Sequence, residues 1–133
     1  MPSKFLIAII DDDERFRKAV TSLVKARGFA VRAFASACDF LESRVIGSTS
    51  CLITDINMPG MTGIELHHHL IQTGYTIPTI LLTAYPDESI RSRMLEAGCL
   101  GYLSKPFDDE VLIEYICSAL KARGSDQSDQ ELS

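Results

Sequence analysis

The chain has 133 residues, 46% of them hydrophobic and 23% charged, enough for one buried core and too few for two ordinary domains. Its net charge of -5 and pI near 5.1 repel phosphate backbones, so direct nucleic-acid binding by this chain is not expected. No apolar run approaches the roughly 20 residues that span a bilayer, and the N-terminal MPSKFLIAIIDDDE passes from its short apolar stretch into acid without a small-residue cleavage site. A soluble, unsecreted protein with no membrane contact is the expectation.

In chain order, residues 5–10, FLIAII, form a continuous apolar run ending at acids, the pattern of a strand buried on both faces. Residues 14–27 carry Phe16, Val20, Leu23 and Val24 at helical spacing, and Gly28 follows as a C-terminal cap would. Residues 29–34, FAVRAF, predict a second strand, and Ser36 an N-cap for a helix bearing Phe40 and Leu41. CLIT at 51–54 is the third strand, a Pro-Gly turn occupies 58–60, and a helix runs over about 63–72. TILLT at 79–83 is the fourth strand, and a helix over about 87–97 stops at Gly98. A short strand, LGYLS, and a last helix over 107–123 with Val111, Ile113, Ile116 and Leu120 complete the alternation.

Five strands alternating with five helices imply right-handed crossovers and a parallel sheet covered on both faces, for which a flavodoxin-like (βα)5 three-layer sandwich in strand order 2-1-3-4-5 is the commonest five-stranded choice. The domain is placed at 1–123. Residues 124–133, GSDQSDQELS, lack an apolar period and read as a disordered tail or the start of a linker. Cys38, Cys51, Cys99 and Cys117 show no C-x-x-C spacing and read as reduced, mostly buried thiols of a cytoplasmic protein.

Ligands of open α/β sheets bind beyond the carboxyl ends of the strands, near the switch point between strands one and three. The first strand ends at Asp11, Asp12 and Asp13, the third at Asp55, the fourth at Thr83, and the fifth is followed by Lys105 and Pro106. Taken singly, Asp13 could only cap a helix, Thr83 only satisfy a backbone group, and Lys105 only be a solvated charge. Taken together, clustered carboxylates repel one another unless a cation offsets them. Mg²⁺, hard and oxygen-seeking, suits such a cluster and leaves room for a phosphoryl group beside Lys105. Carboxylate, metal, amine and hydroxyl together make a phosphoryl-transfer site.

The segments IIDDDE, TDINMPGMTGIEL, LLTAY and GYLSKPF, in this order and approximate spacing, resemble the receiver domains of two-component response regulators, of the FixJ and NarL type, over about residues 4–122. The resemblance implies that Asp55 accepts a phosphoryl group from a sensor histidine kinase. It implies that Asp12 binds Mg²⁺ directly, that Asp11 helps through water, and that the main-chain carbonyl of Asn57 completes the metal ligands. Thr83 and Lys105 would bind phosphate oxygens, and Tyr102 would turn inward when Thr83 moves. A cis bond before Pro106, and a phosphorylation-dependent homodimer formed through the face of helix four, strand five and helix five, belong to the same expectation. Control of transcription would pass through a DNA-binding domain outside this chain. Asn57 and Tyr85 flank the water approach and would tune hydrolysis, while the small Ala84 leaves phosphate access open.

An alternative is a haloacid-dehalogenase-like Mg²⁺-dependent phosphohydrolase, which also uses an Asp nucleophile. That family places a second Asp two residues on, where this chain has Asn57. A flavodoxin would need a Gly/Ser/Thr-rich phosphate cradle after strand one, where acids stand instead. All three histidines are His67, His68 and His69. Neighbouring helical side chains point about 100° apart, so they do not converge on a metal; His67 is expected to lean on the core and the other two to face water.

Overall fold

Alternate residues of a strand face opposite sides of a sheet, and here both sides are apolar, so helices must cover both. The computed structural model describes residues 5–132, with side chains described for 5–121. Five strands, β1 (Leu6–Ile10), β2 (Ala30–Phe34), β3 (Thr49–Asp55), β4 (Thr79–Thr83) and β5 (Gly101–Ser104), pair in parallel in the order β2-β1-β3-β4-β5. Five α-helices connect and follow them: α1 (Glu14–Ala26), α2 (Ala37–Glu42), α3 (Gly63–Gln72), α4 (Glu88–Glu96) and α5 (Asp109–Leu132). The predicted flavodoxin-like order is the observed one.

On one face Ile7, Ile9, Ile53 and Leu82 pack against Val20 and Val24 of α1 and Leu112 and Ile116 of α5. On the other, Ala8, Ile10 and Leu52 meet Phe40 of α2 and Leu66 and Leu70 of α3, while Leu81 joins Met94 of α4. β1 and β3 are therefore central, and their carboxyl ends lie side by side, with Ile10 paired to Thr54. β2 and β5 are the edges, which is why Arg32 and Ala33 of β2 are exposed.

Three boundaries differ from the sequence expectation by two residues or more. β3 starts two residues before the CLIT run, because Thr49 donates to the Val45 carbonyl (2.7 Å) and the Ser50 hydroxyl accepts from the Leu6 N–H (3.2 Å), so both hydroxyls enter the interior with partners. α5 starts at Asp109 rather than Phe107, since the Asp108 carboxylate accepts from the Glu110 N–H (2.8 Å) as an N-cap does. The α5 assignment also runs on to Leu132, through the stretch read as a tail; GSDQSDQELS contains no proline and one glycine, so little in it interrupts helical hydrogen bonding. Of the cysteines expected to be mostly buried, Cys51 and Cys99 are, and Cys38 and Cys117 are exposed on helices. Apolar neighbours in sequence do not share a helix face, so SCLI-type context decides burial in a strand and misleads in a helix. Burial pushes the Cys99 thiol up to about 12, where it stays protonated.

Candidate functional site

The strand ends converge. Asp11 leaves β1 with its side chain buried, Asp55 closes β3 buried, and Asp12 is exposed beside them. Their carboxylate oxygens lie within 4.8 Å of one another. Asp13 stands apart in role: its carboxylate caps α1, accepting from the Arg15 and Phe16 N–H groups (3.0 and 3.3 Å), which is the local reading given for it singly. Asp11 is pinned on both sides. Its carboxylate accepts from the Asp13 N–H (2.9 Å), and its carbonyl accepts from Nη1 of Arg17 (2.7 Å).

Lys105 reaches into this cluster from the end of β5. Its Nζ lies 3.0 Å from Oδ2 of Asp11 and 3.5 Å from Oδ1 of Asp55, with the side chain 17% exposed. The Lys105–Pro106 bond is cis, as the resemblance implies, and the Lys105 N–H donates to the Thr83 carbonyl (2.8 Å). The amine therefore offsets part of the carboxylate repulsion that the sequence assigns to a metal. Burial is the largest influence on Asp55 and raises its carboxyl above the ordinary range; the Lys105 ammonium opposes this, and the Asp11 charge adds to it.

Three hard carboxylate donors within reach of one small ion suit Mg²⁺ by donor chemistry, and the Asn57 main chain directly follows on the same loop. This loop is held by α3. The Thr62 hydroxyl accepts from the Glu65 N–H (3.1 Å) and the Glu65 carboxylate accepts from the Thr62 N–H (2.9 Å), a capping box, while the Gly63 N–H donates to the Ile56 carbonyl (3.1 Å). A Cβ at Gly63 would overlap the Asp55 carbonyl oxygen, so only glycine lets α3 start this close to the strand.

Thr83 and Tyr102, paired in the sequence reading as a switch, are both placed but in particular states. The Thr83 hydroxyl donates to Oδ1 of Asn57 and accepts from the Tyr85 N–H, both at 2.9 Å. The Tyr102 ring is 8% exposed, packed with Ile56, Leu81 and Met94, and its hydroxyl accepts from the Asp87 N–H (3.0 Å). In this structure the ring lies inward while the Thr83 hydroxyl is engaged with Asn57. A hydroxyl that caps the turn into α4 holds the ring in place.

His67 is buried with its Nδ1 unpaired, and burial holds its ring below the ordinary histidine range; His68 is exposed and His69 half-buried. Among the described residues the only group of three or more potential metal-binding side chains is the Asp11, Asp12 and Asp55 cluster. The sequence reading passed over two residues at this site. Phe16, read only for its helical core spacing, meets Lys105 from the far end of the chain, which nothing local signals, and Arg17, not singled out in the sequence, reaches back six residues to the Asp11 carbonyl.

The family model of the response regulator receiver domain matches residues 7–117. Nodulation protein W of Bradyrhizobium diazoefficiens is 32% identical over 88% of this chain, and the transcriptional regulatory protein FixJ of Azorhizobium caulinodans 33% identical over 98%. These matches cover 52% and 62% of the relatives, so the chain spans little more than half their length. The crystal structure of FixJ-N superposes with a TM-score of 0.77 at 34% identity, covering 88% of this chain and 94% of that one. The haloacid-dehalogenase alternative finds no support in these matches, and Asn57 stands where it needs an acid. No helix among the described residues is long and apolar enough to cross a membrane.

Proposed function

Because this chain belongs to the response regulator receiver domain family, we propose that it accepts a phosphoryl group on Asp55 from the phosphohistidine of a sensor histidine kinase. The observation that carries this reading is Asp55 itself: a strand-end carboxylate, buried, beside two other acids and 3.5 Å from an amine. A carboxylate oxygen of Asp55 attacks phosphorus, the P–N bond to the kinase imidazole breaks with its electrons leaving on nitrogen, and an acyl phosphate remains. Lys105 exchanges a carboxylate contact for a phosphate oxygen and offsets the charge spread over the equatorial oxygens. The Thr83 hydroxyl binds a second oxygen after leaving Asn57. Asp11, Asp12, Asp55 and the Asn57 carbonyl would hold Mg²⁺, which when bound supplies further positive charge at the site. Water attack on phosphorus returns Asp55 and inorganic phosphate, with Asn57 and Tyr85 flanking its approach. The chain's own chemistry is this acceptance and loss.

In this reading the protein works in the cytoplasm, where its kinase presents the phosphohistidine. The domain spans 1–123. Phosphorylation promotes a homodimer through the face of α4, β5 and α5, where Tyr102 lies, and the relatives' greater length leaves room for a DNA-binding output that controls transcription. Acetyl phosphate with Mg²⁺, read by intact mass spectrometry, tests the core of it. One added phosphoryl group is expected on the wild-type chain and none on Asp55→Asn; unchanged labelling of the variant would move the acceptor to another acid.

A further inference from the structure

Lys105 is held from three directions, and only two of them are carboxylates. The third is an aromatic face: Nζ lies 3.9 Å from the centroid of the Phe16 ring, a cation–π geometry. Phe16 is steadied in turn by the edge of Phe107, with ring centroids 5.9 Å apart and planes at 84°. Phe16 sits in the first turn of α1, whose start is set by the Asp13 cap. The seat is thereby tied to the loop that carries Asp11 and Asp12.

We propose that Phe16 is a positioning residue for phosphoryl transfer, its ring face forming the seat that keeps the Lys105 ammonium aimed at Asp55. The physical reason lies in what changes during the reaction. A phosphoryl group arriving at Asp55 competes with Asp11 and Asp55 for the three N–H donors of Lys105, so both carboxylate contacts are exchangeable. The ring face is different: it attracts the cation through its quadrupole without accepting a strong hydrogen bond. Lys105 can therefore trade oxygen partners while its place is kept, and the flexible four-carbon stem does not have to be reordered in the transition state.

The inference rests on the reading of Lys105 as a phosphate-binding amine, and its test separates the two. In metal-free, unphosphorylated protein, the Lys105 ε-methylene protons should resonate upfield of other lysines through the ring current of Phe16. They should return to the ordinary position in Phe16→Leu and stay upfield in Phe16→Tyr. With acetyl phosphate and Mg²⁺, Phe16→Leu should label roughly three- to tenfold more slowly than wild type, and Phe16→Tyr, which keeps the aromatic face, should recover most of the rate. Leucine keeps apolar bulk, so a role in packing alone would leave the labelling of folded Phe16→Leu unchanged and overturn the proposal, as would a Lys105 signal indifferent to the substitution. Wild type that takes no phosphoryl group would overturn the underlying reading, and this one with it, before any variant is compared.

Discussion

At the scale of single residues the site is defined by a conflict at Asp55. Its burial disfavours the charged form, yet an attacking oxygen needs that charge; Lys105 at 3.5 Å is the compensating group. With its folded-state pKa raised above the ordinary value of 3.8, this carboxyl contributes stability below that value and loses it as pH rises through the raised pKa. Asp55→Asn carries no such loss. In metal-free buffer the variant should melt higher than wild type at neutral pH, with the gap closing as pH falls toward 3.8. Thermal melts across this range check it, and a gap that widened on acidification would mean that attraction to Lys105 outweighs burial.

Among the elements, α3 has the tightest joint with the site. The capping box at Thr62 and Glu65 sets where the helix begins, and Gly63 lets that first turn lie against the Asp55 carbonyl. Gly63→Ala forces the helix start and the strand end apart, and overpacking of this kind costs about 1–3 kcal/mol. We expect a lower melting temperature by circular dichroism together with slower acetyl phosphate labelling, because the displaced backbone bears the nucleophile. A variant that lost stability yet labelled at the wild-type rate would show that the joint supports the fold alone.

For the whole molecule, three acids at the carboxyl ends of the central strands make folding and ion binding a linked equilibrium. Anything that binds the folded site and not the unfolded chain stabilises by mass action, about 2.7 kcal/mol at a hundredfold excess over Kd. Mg²⁺ should raise the calorimetric melting temperature of wild type, and Asp12→Ala should remove the increment. Asp12 suits the test because it is exposed, so its loss costs the fold little directly. Equal Mg²⁺ shifts in the two proteins would place the ion elsewhere.

The sequence by itself determined the alternation of strands and helices, the helix faces and the acids at the strand ends, because these follow from local rules. Period-two and period-3.6 apolar spacing, glycine stops and the right-handed crossover rule act over a few residues and leave few topologies. FLIAII followed by Asp11, and TILLT ending at Thr83, were legible for that reason. Only the tertiary structure decided contacts between elements distant along the chain. It brought Phe16 of α1 under Lys105 after β5, engaged Thr83 with Asn57, and seated the Tyr102 ring inward with its hydroxyl on the Asp87 N–H. Cys38 and Cys117 turned outward, and Thr49 and Ser50 inward, by the same logic. Which side chain finds a partner depends on the packing of whole elements, and periodicity records the face a residue occupies without recording what stands opposite it.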